Sequence, residues 1–305
     1  MNLCFVGGGN MACALIGGLL RNGFAAGDLT VIDVDVAQRE RLSARFGVAV
    51  FATVAAAASA VAASDCVVLA VKPQHVRGVA QALQPLRASQ LVVTIAAGVR
   101  IVDLARWLGG HHRIARAMPN TPALIGQGIA GLYAGAALEA ADRGVVERIL
   151  GAVGAVLWVE REVQIDALTA VSGSGPAYVF LLIEALEAAA REVGFDATQS
   201  RQLALATFAG ASALAASDVD PPEVLRARVT SPGGTTERGI AAFEAGGVRA
   251  AFVRAVTAAN QRASELGDAY GREQAANSDV GPGDTIDHVG RPADGRIDDT
   301  PGAAR

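Results

Sequence analysis

Lysine is almost missing from this chain: of 26 basic residues, Lys72 is the only lysine and the other 25 are arginine. Chemistry that needs a second lysine is therefore excluded. Aromatic residues make up 5% of the chain and charged residues 18%, the latter against roughly 25% in an average soluble domain. The 26 basic and 30 acidic residues leave a formal charge of -4, which offers no general footprint for nucleic acid. Cysteine is scarce too. Cys4, Cys13 and Cys66 show no pairing pattern, which fits a reduced, cytoplasmic setting. His75, His111, His112 and His288 form no metal set with them, so no metal is expected.

A long apolar run is also wanting, although the mean hydropathy is +0.34. The greasiest stretch, 48–63, is mostly alanine, includes Thr53 and Ser59, and ends at Ser64-Asp65. A spanning helix wants about 20 predominantly apolar residues, so no membrane insertion is expected. The glycine cluster is reached at residue 7, so no basic leader and apolar signal segment are expected ahead of it. What the chain holds in excess is alanine, 64 of its 305 residues. Much of its apolar content is thus small and helix-compatible.

Short apolar strands alternate with longer helical segments through the first half. Strands are predicted at 2–6, 29–33, 48–52, 66–71 and 91–95, with two more at 113–116 and 129–133; Gly131 weakens the last. Helices are predicted at 10–21, at about 36–45, after residue 52 and after Pro73. This alternation is the pattern of a mostly parallel sheet covered on both faces, an α/β fold. After Val159 the pattern changes. Segments 178–192, 200–216, 237–245 and 249–265 are long and helical, with almost no credible strand between 164 and 267. The expected division is a sheet domain over 1–160, an all-helical domain over 161–271 and a disordered tail over 272–305.

Gly7-Gly8-Gly9-Asn10-Met11-Ala12 fits G-x-G-x-x-A between a strand and a helix. Gly7 permits the tight turn, Gly9 lets a phosphate approach the helix N-terminus, and Ala12 keeps the helix close to the sheet. This predicts a Rossmann-like dinucleotide site, with Asn10 and Met11 in its wall. Asp33 ends the second strand, where an acid accepts hydrogen bonds from an adenosine ribose and favours NADH over NADPH. Arg39 and Arg41 follow within a turn or two and are placed to take a 2′-phosphate instead, so both cofactors stay open. Ala70-Val71-Lys72-Pro73 and Ala96-Ala97-Gly98 close two further strands, where open parallel sheets place their ligands. Lys72 is either a cofactor contact or a solvated charge. Met118-Pro119-Asn120-Thr121-Pro122 is a rigid polar turn after another strand, either structural or presenting its hydrogen-bonding groups to a ligand.

Two motifs follow in the helical part. Ser172-Gly173-Ser174-Gly175-Pro176 and Ser231-Pro232-Gly233-Gly234-Thr235-Thr236 each read as an anion nest ahead of a helix start. Taken singly they are capped helix entries; as a pair beside a nucleotide domain they suggest a pocket for a small carboxylate. Gly173-Ser174-Gly175 does not fit the G-x-S-x-G nucleophile elbow.

In this order, the motifs at 70–73, 117–123, 172–178 and 231–236 resemble the pyrroline-5-carboxylate reductase family, over about 3–269. The resemblance implies hydride transfer from NADPH or NADH to the C=N carbon of 1-pyrroline-5-carboxylate, giving L-proline. It places the nicotinamide at the domain junction near Met118, Pro119 and Asn120. It makes the Thr236 hydroxyl the partner of the substrate nitrogen, and has Ser231, Gly233, Gly234 and Thr235 hold the carboxylate, with Ser174 close by. It also implies a homodimer through the helical domain, and five such dimers in a ring. Thr236 has a competing role as the N-cap of the helix that follows it. Two enzyme rivals remain: a reductase of another carboxylated cyclic imine, and a 3-hydroxyacid dehydrogenase. The dehydrogenase chemistry relies on a lysine in the helical domain, and this chain has none there. A nucleotide-binding protein without turnover is the rival from another class.

Overall fold

The first strand, β1 (Leu3–Val6), is buried along its whole length because both of its faces are covered. Leu3 and Phe5 enter one apolar cluster, and Cys4 and Val6 enter the other. Such two-sided burial is what turns parallel strands into unbroken apolar runs. In this computed structural model, which describes residues 1–272, β1 leads to α1 (Asn10–Arg21), β2 (Leu29–Ile32), α2 (Val36–Phe46) and β3 (Ala49–Phe51). Then come α3 (Ala58–Ala63), β4 (Cys66–Leu69), α4 (Pro73–Ala82), β5 (Leu91–Thr94) and α5 (Ile101–Trp107). The sheet closes with β6 (Ile114–Met118), β7 (Gly128–Ala134), α6 (Ala140–Leu150) and β8 (Gly154–Trp158).

The eight strands lie in the order β3-β2-β1-β4-β5-β6-β7-β8. All neighbours are parallel except β6 and β7. The first six follow the doubly wound dinucleotide-binding order, with its switch point between β1 and β4. Helices α1, α2 and α6 supply Leu15, Leu42, Val146 and Ile149 to one core cluster, and α3, α4 and α5 supply Val61, Val76 and Leu104 to the other. Cys66 pairs in register with Leu3, one position from Cys4, so the two thiols point to opposite faces and stay unbridged. Burial pushes the Cys4 thiol up to about 12 and raises that of Cys66 as well, which leaves both unreactive.

The predicted strands all form, within a residue or two at each end. Three elements of the sheet part were not predicted: α5, α6 and β8. Strand β8 is a half-exposed edge along which half-buried and exposed residues alternate. Its position is set by a backbone contact, since a Cβ on Gly154 would overlap the Gly128 carbonyl. Gly131 is required for an equally concrete reason, because Leu168 occupies the space its side chain would fill.

Beyond β8 the chain is helical: α7 (Val163–Leu168), α8 (Gly175–Glu192), α9 (Ala197–Ser217), α10 (Pro222–Arg228), α11 (Thr235–Ala245) and α12 (Val248–Arg272). The short α10 was not predicted; its opening Pro221-Pro222 reads as punctuation, and Pro at the first turn of a helix is compatible with both. Residues Met1–Gly271 make one compact unit. Apart from Arg272, which ends α12, the expected tail over 272–305 lies outside the described residues. The stretch 48–63 becomes a strand, a turn and the short α3, whereas the helical run Val163–Glu192 is long and apolar enough to cross a membrane by length and composition. Only 17% of that window is buried within the chain, so its apolar surface needs another cover.

Candidate functional site

The glycine triplet forms the turn that its spacing predicts. Gly7 has φ +98°, and a Cβ there would stand 2.6 Å from the Ala70 carbonyl oxygen. The exits of β1 and β4 therefore touch at the switch point. Gly9 is the N-cap of α1, with no side-chain cap and open space where a Cβ would project. The first amides of α1 thus face an uncapped, exposed hollow, which fits a pyrophosphate approached by backbone N–H groups. Ala12 is buried, as the close seating of α1 requires.

Asp33 sits beside this hollow. Its Oδ2 accepts from the Gly8 N–H at 2.7 Å and its Oδ1 from the Asp35 N–H at 2.8 Å. A carboxylate has about four acceptor sites, so it can still take a ribose hydroxyl. Arg39 is partly engaged: its Nη1 donates to the carbonyls of Asp33 and Val34 at 2.8 and 2.9 Å. Arg41 is exposed. Lys72 is exposed at the N-cap of α4, just beyond the Gly7–Ala70 contact, with Val71 and Pro73 half-buried on either side of it.

Ala97 and Gly98 leave β5 with Gly98 at φ +75°, packed under the Tyr270 ring near the end of α12. Met118 and Pro119 leave β6 with Asn120. The Asn120 amide is occupied at both ends: Nδ2 donates to the Ser172 carbonyl at 3.1 Å, and Oδ1 accepts from Ile129 N–H at 2.9 Å. Asn120 therefore ties the loop together through one N–H and one acceptor site.

Ser172-Gly173-Ser174 departs from the expected nest. Residues Thr169–Gly173 form a π-turn that joins α7 to α8 without a break, and the Ser174 N–H donates to the Thr169 carbonyl at 2.8 Å. These amides are committed to the helix instead of being offered to an anion. A π-turn inside a helix often marks a functional site. Here a Cβ on Gly173 would lie 2.9 Å from Met118 Cε, so the turn rests directly on the β6 exit.

Ser231–Gly234 is a true loop, and Thr235 and Thr236 open the helix that follows it. Gly234 is the N-cap of α11, and it carries no side-chain cap. The competing role of Thr236 as N-cap is thereby overturned: Thr236 lies in the first turn, exposed, and no hydrogen bond engages its hydroxyl among the described residues. The Gly233 N–H donates to Glu237 Oε2 at 2.7 Å and the Gly234 N–H to the Ser231 carbonyl at 3.0 Å. The open amides at this helix start are those of Thr235, Thr236 and Glu237. The loop's hydrogen bonds stay local, and none joins it to Met118 or Ser174 within the chain. Among the described residues no group of three His, Cys, Asp or Glu side chains is placed to hold a metal ion.

Comparison with known proteins adds a decisive observation. Residues 162–266 match the family described as pyrroline-5-carboxylate reductase dimerisation, and 2–98 match NADP oxidoreductase coenzyme F420-dependent. A pyrroline-5-carboxylate reductase of Pseudomonas aeruginosa is 46% identical over 271 residues, covering 88% of this chain and 98% of that protein. The chain belongs to the pyrroline-5-carboxylate reductase family. The solved reductase of Coxiella burnetii superposes with a TM-score of 0.81 at 38% identity, covering 87% of this chain and 98% of that one. A Plasmodium falciparum pyrroline carboxylate reductase with NADP bound gives 0.77 at 27% identity, with 88% and 98% covered. Membership of this family removes the hydroxyacid dehydrogenase rival.

Sequence reasoning passed over one group beside the site. Arg116 of β6 is 1% exposed and pairs with Glu162 at 3.0 Å and Asp166 at 2.8 Å. Its signal was an arginine inside an apolar strand, with two acids four residues apart on a later helix.

Proposed function

We propose that this chain is a pyrroline-5-carboxylate reductase, moving a hydride from NADPH or NADH to the C=N carbon of 1-pyrroline-5-carboxylate in the last step of proline synthesis. The observation that carries this reading is the set of strand exits at the sheet's carboxyl edge, where Gly7 after β1 approaches the Ala70 carbonyl after β4 and Met118 at the end of β6 meets Gly173. The nicotinamide supplies the hydride. The chain's own residues position the partners, because a protonated cyclic imine is already electrophilic and needs no strong protein base.

Gly7, Gly9, Asn10 and Met11 would hold the pyrophosphate, Asp33 the adenosine ribose, and Ala70–Pro73, Ala97, Gly98, Met118 and Pro119 the remainder of the cofactor. Asn120 acts by holding that last loop. The Thr236 hydroxyl would accept from the imine N–H. The Ser231 hydroxyl and the amides of Thr235 and Thr236 would take the carboxylate, with Gly233 and Gly234 shaping the turn through their own engaged N–H groups. Ser174, on the π-turn beside Met118, would border the substrate.

The test is oxidation of NADPH and NADH with 1-pyrroline-5-carboxylate, using piperideine-6-carboxylate as the ring-size control. Turnover with the five-membered ring is expected. Binding of NADPH without oxidation would favour a nucleotide sensor, and preference for the larger ring a broader imine reductase. Measurable use of NADH is expected, because the Asp33 carboxylate repels a 2′-phosphate. Asp33→Ser should raise the NADPH-to-NADH ratio of kcat/KM about 10-fold, equal to about 1.4 kcal/mol of relieved repulsion. An unchanged ratio would remove Asp33 from cofactor selection.

The division at 160/161, with a dinucleotide part before it and a helical part after, agrees with the matched dimerisation stretch at 162–266. Within one chain α8 buries only Ala190, and α9, 21 residues long, buries only Ser200 and Ala204. Phe180 and Leu181 stand about three-fifths exposed, at 59% and 63%. A second copy of this chain is the proposed cover, giving a homodimer that can bring the Ser231–Thr236 loop of one copy towards the sheet of the other. Light scattering should return at least twice 31.0 kDa, and ten times 31.0 kDa would mark the ring of five dimers. A stable monomer at working concentration would reject the arrangement. The three free cysteines are consistent with the reducing cytoplasm as its setting.

A further inference from the structure

We propose that Arg116, with Glu162 and Asp166, is a positioning cluster that sets the distance between the nicotinamide-side loops and the Ser172–Ser174 turn; the proposal rests on the reductase reading above. A guanidinium buried inside a sheet is costly unless it is paired. Arg116 is paired twice, through Nη1 to Glu162 and Nη2 to Asp166, while its Nε is buried without a partner. Glu162, the N-cap of α7, and Asp166 in its first turn are four residues apart, so both carboxylates reach the same guanidinium only when α7 lies at one height and one rotation on β6.

The contacts that follow are in step with this clamp. Residues 116 and 118 share one face of β6, because side chains alternate along a strand. Met118 meets the missing side chain of Gly173, and Asn120 donates to the Ser172 carbonyl. On the neighbouring strand, Leu168 of α7 fills the space above Gly131. Glycine at both places lets the helix and its π-turn come into direct contact with the sheet, and the ion cluster lies two residues back along β6, where Arg116 pairs with Tyr133.

Glu162 has a second connection. Its Oε1 also accepts from the Ile101 N–H at 2.8 Å, at the start of α5. That helix begins three residues after Gly98, in the loop assigned to the cofactor. The same carboxylate thus joins the β5 exit, the β6 strand and the entry to the helical part. On its other side Glu162 lines an open cavity of about 700 Å³ with Ile101 and Tyr133. The cluster touches neither cofactor nor substrate; its effect passes through the loops it holds. Hydride transfer depends steeply on donor–acceptor distance, so a shift of a few tenths of an ångström lowers the rate of that step without removing a binding contact.

The test is steady-state kinetics of Arg116→Lys and Asp166→Asn beside the wild type, with melting curves and the primary deuterium isotope effect from 4-deuterated NADPH. An ammonium lacks the rigid planar fork by which the guanidinium sends a separate nitrogen to each carboxylate. The expected result is a kcat about 10-fold lower, with KM for NADPH within about 2-fold and a larger isotope effect on kcat, as hydride transfer becomes limiting. Variants that melt lower but keep wild-type kcat and isotope effect overturn the proposal, because a merely structural role moves only the melting curve. If Arg116→Lys does not fold, Asp166→Asn carries the same test; failure of both to fold also overturns it. A wild type that does not oxidise NADPH with 1-pyrroline-5-carboxylate overturns the reductase reading and the proposal together, whereas an active wild type with unaffected variants overturns the proposal alone.

Discussion

Thr236→Ala should lower kcat/KM for 1-pyrroline-5-carboxylate about 10- to 100-fold and leave the melting temperature within about 2 °C of wild type. The size follows from the bond removed. A hydrogen bond between a neutral hydroxyl and a charged N–H contributes about 1.5–3 kcal/mol, and each 1.36 kcal/mol is a factor of about ten in rate. The absence of a stability effect follows from the helix start. Gly234 caps α11, Thr236 is exposed in its first turn, and its hydroxyl bonds to nothing among the described residues. Alanine is a better helix former than threonine, so the fold has nothing to lose there. Thr236→Ser should recover most of the activity, since it restores the hydroxyl. A large drop in melting temperature with unchanged kinetics would return Thr236 to a structural role.

Local signals explain which parts of this molecule were legible in the sequence. Glycine at 7 and 9, alanine at 12 and unbroken apolar runs carry their own structural meaning, and α1 starts and ends where they say. Asp33 was placed correctly at the strand exit for the same reason, although its hold on the Gly8 amide could not be read there. What stayed hidden depends on contacts between distant residues. The serines, glycines and proline at 172–176 signal a turn, yet the Met118–Gly173 contact and the Thr169–Ser174 hydrogen bond keep that backbone helical. The tie made by Asn120 stayed hidden because neither of its partners, Ile129 and Ser172, is near enough in sequence to suggest itself. The Arg116 pairs span 46 and 50 residues, and only the fold brings them into register. Edge strand β8 was missed because one of its faces is solvated, and the glycine–glycine approach that seats it on β7 joins residues distant in sequence.

The glycine turn allows folding and cofactor binding to be separated by two substitutions two residues apart. Gly9→Ala should raise the Kd for NADPH about 100-fold, and should lower the stability of the cofactor-free chain by no more than about 1 kcal/mol. The Gly9 backbone, at φ -65° and ψ -173°, suits any residue, and an added Cβ meets nothing in the protein within 4 Å. It projects instead into the hollow over the first turn of α1, where the pyrophosphate must approach the amides closely. Gly7→Ala should do the opposite. Its φ of +98° strains an L side chain by roughly 1–2 kcal/mol. The new Cβ would also press on the Ala70 carbonyl from 2.6 Å, and relieving such overpacking costs about 1–3 kcal/mol more. The measurement is a melting curve for each variant with and without NADPH. Wild type should gain stability as ligand saturates it, by about 2.7 kcal/mol at 100 times Kd. At that same concentration Gly9→Ala should start near the wild-type melting point and gain almost nothing. Gly7→Ala should start several degrees lower. Equal gains for wild type and Gly9→Ala would show that the hollow at the head of α1 is not where the phosphates bind.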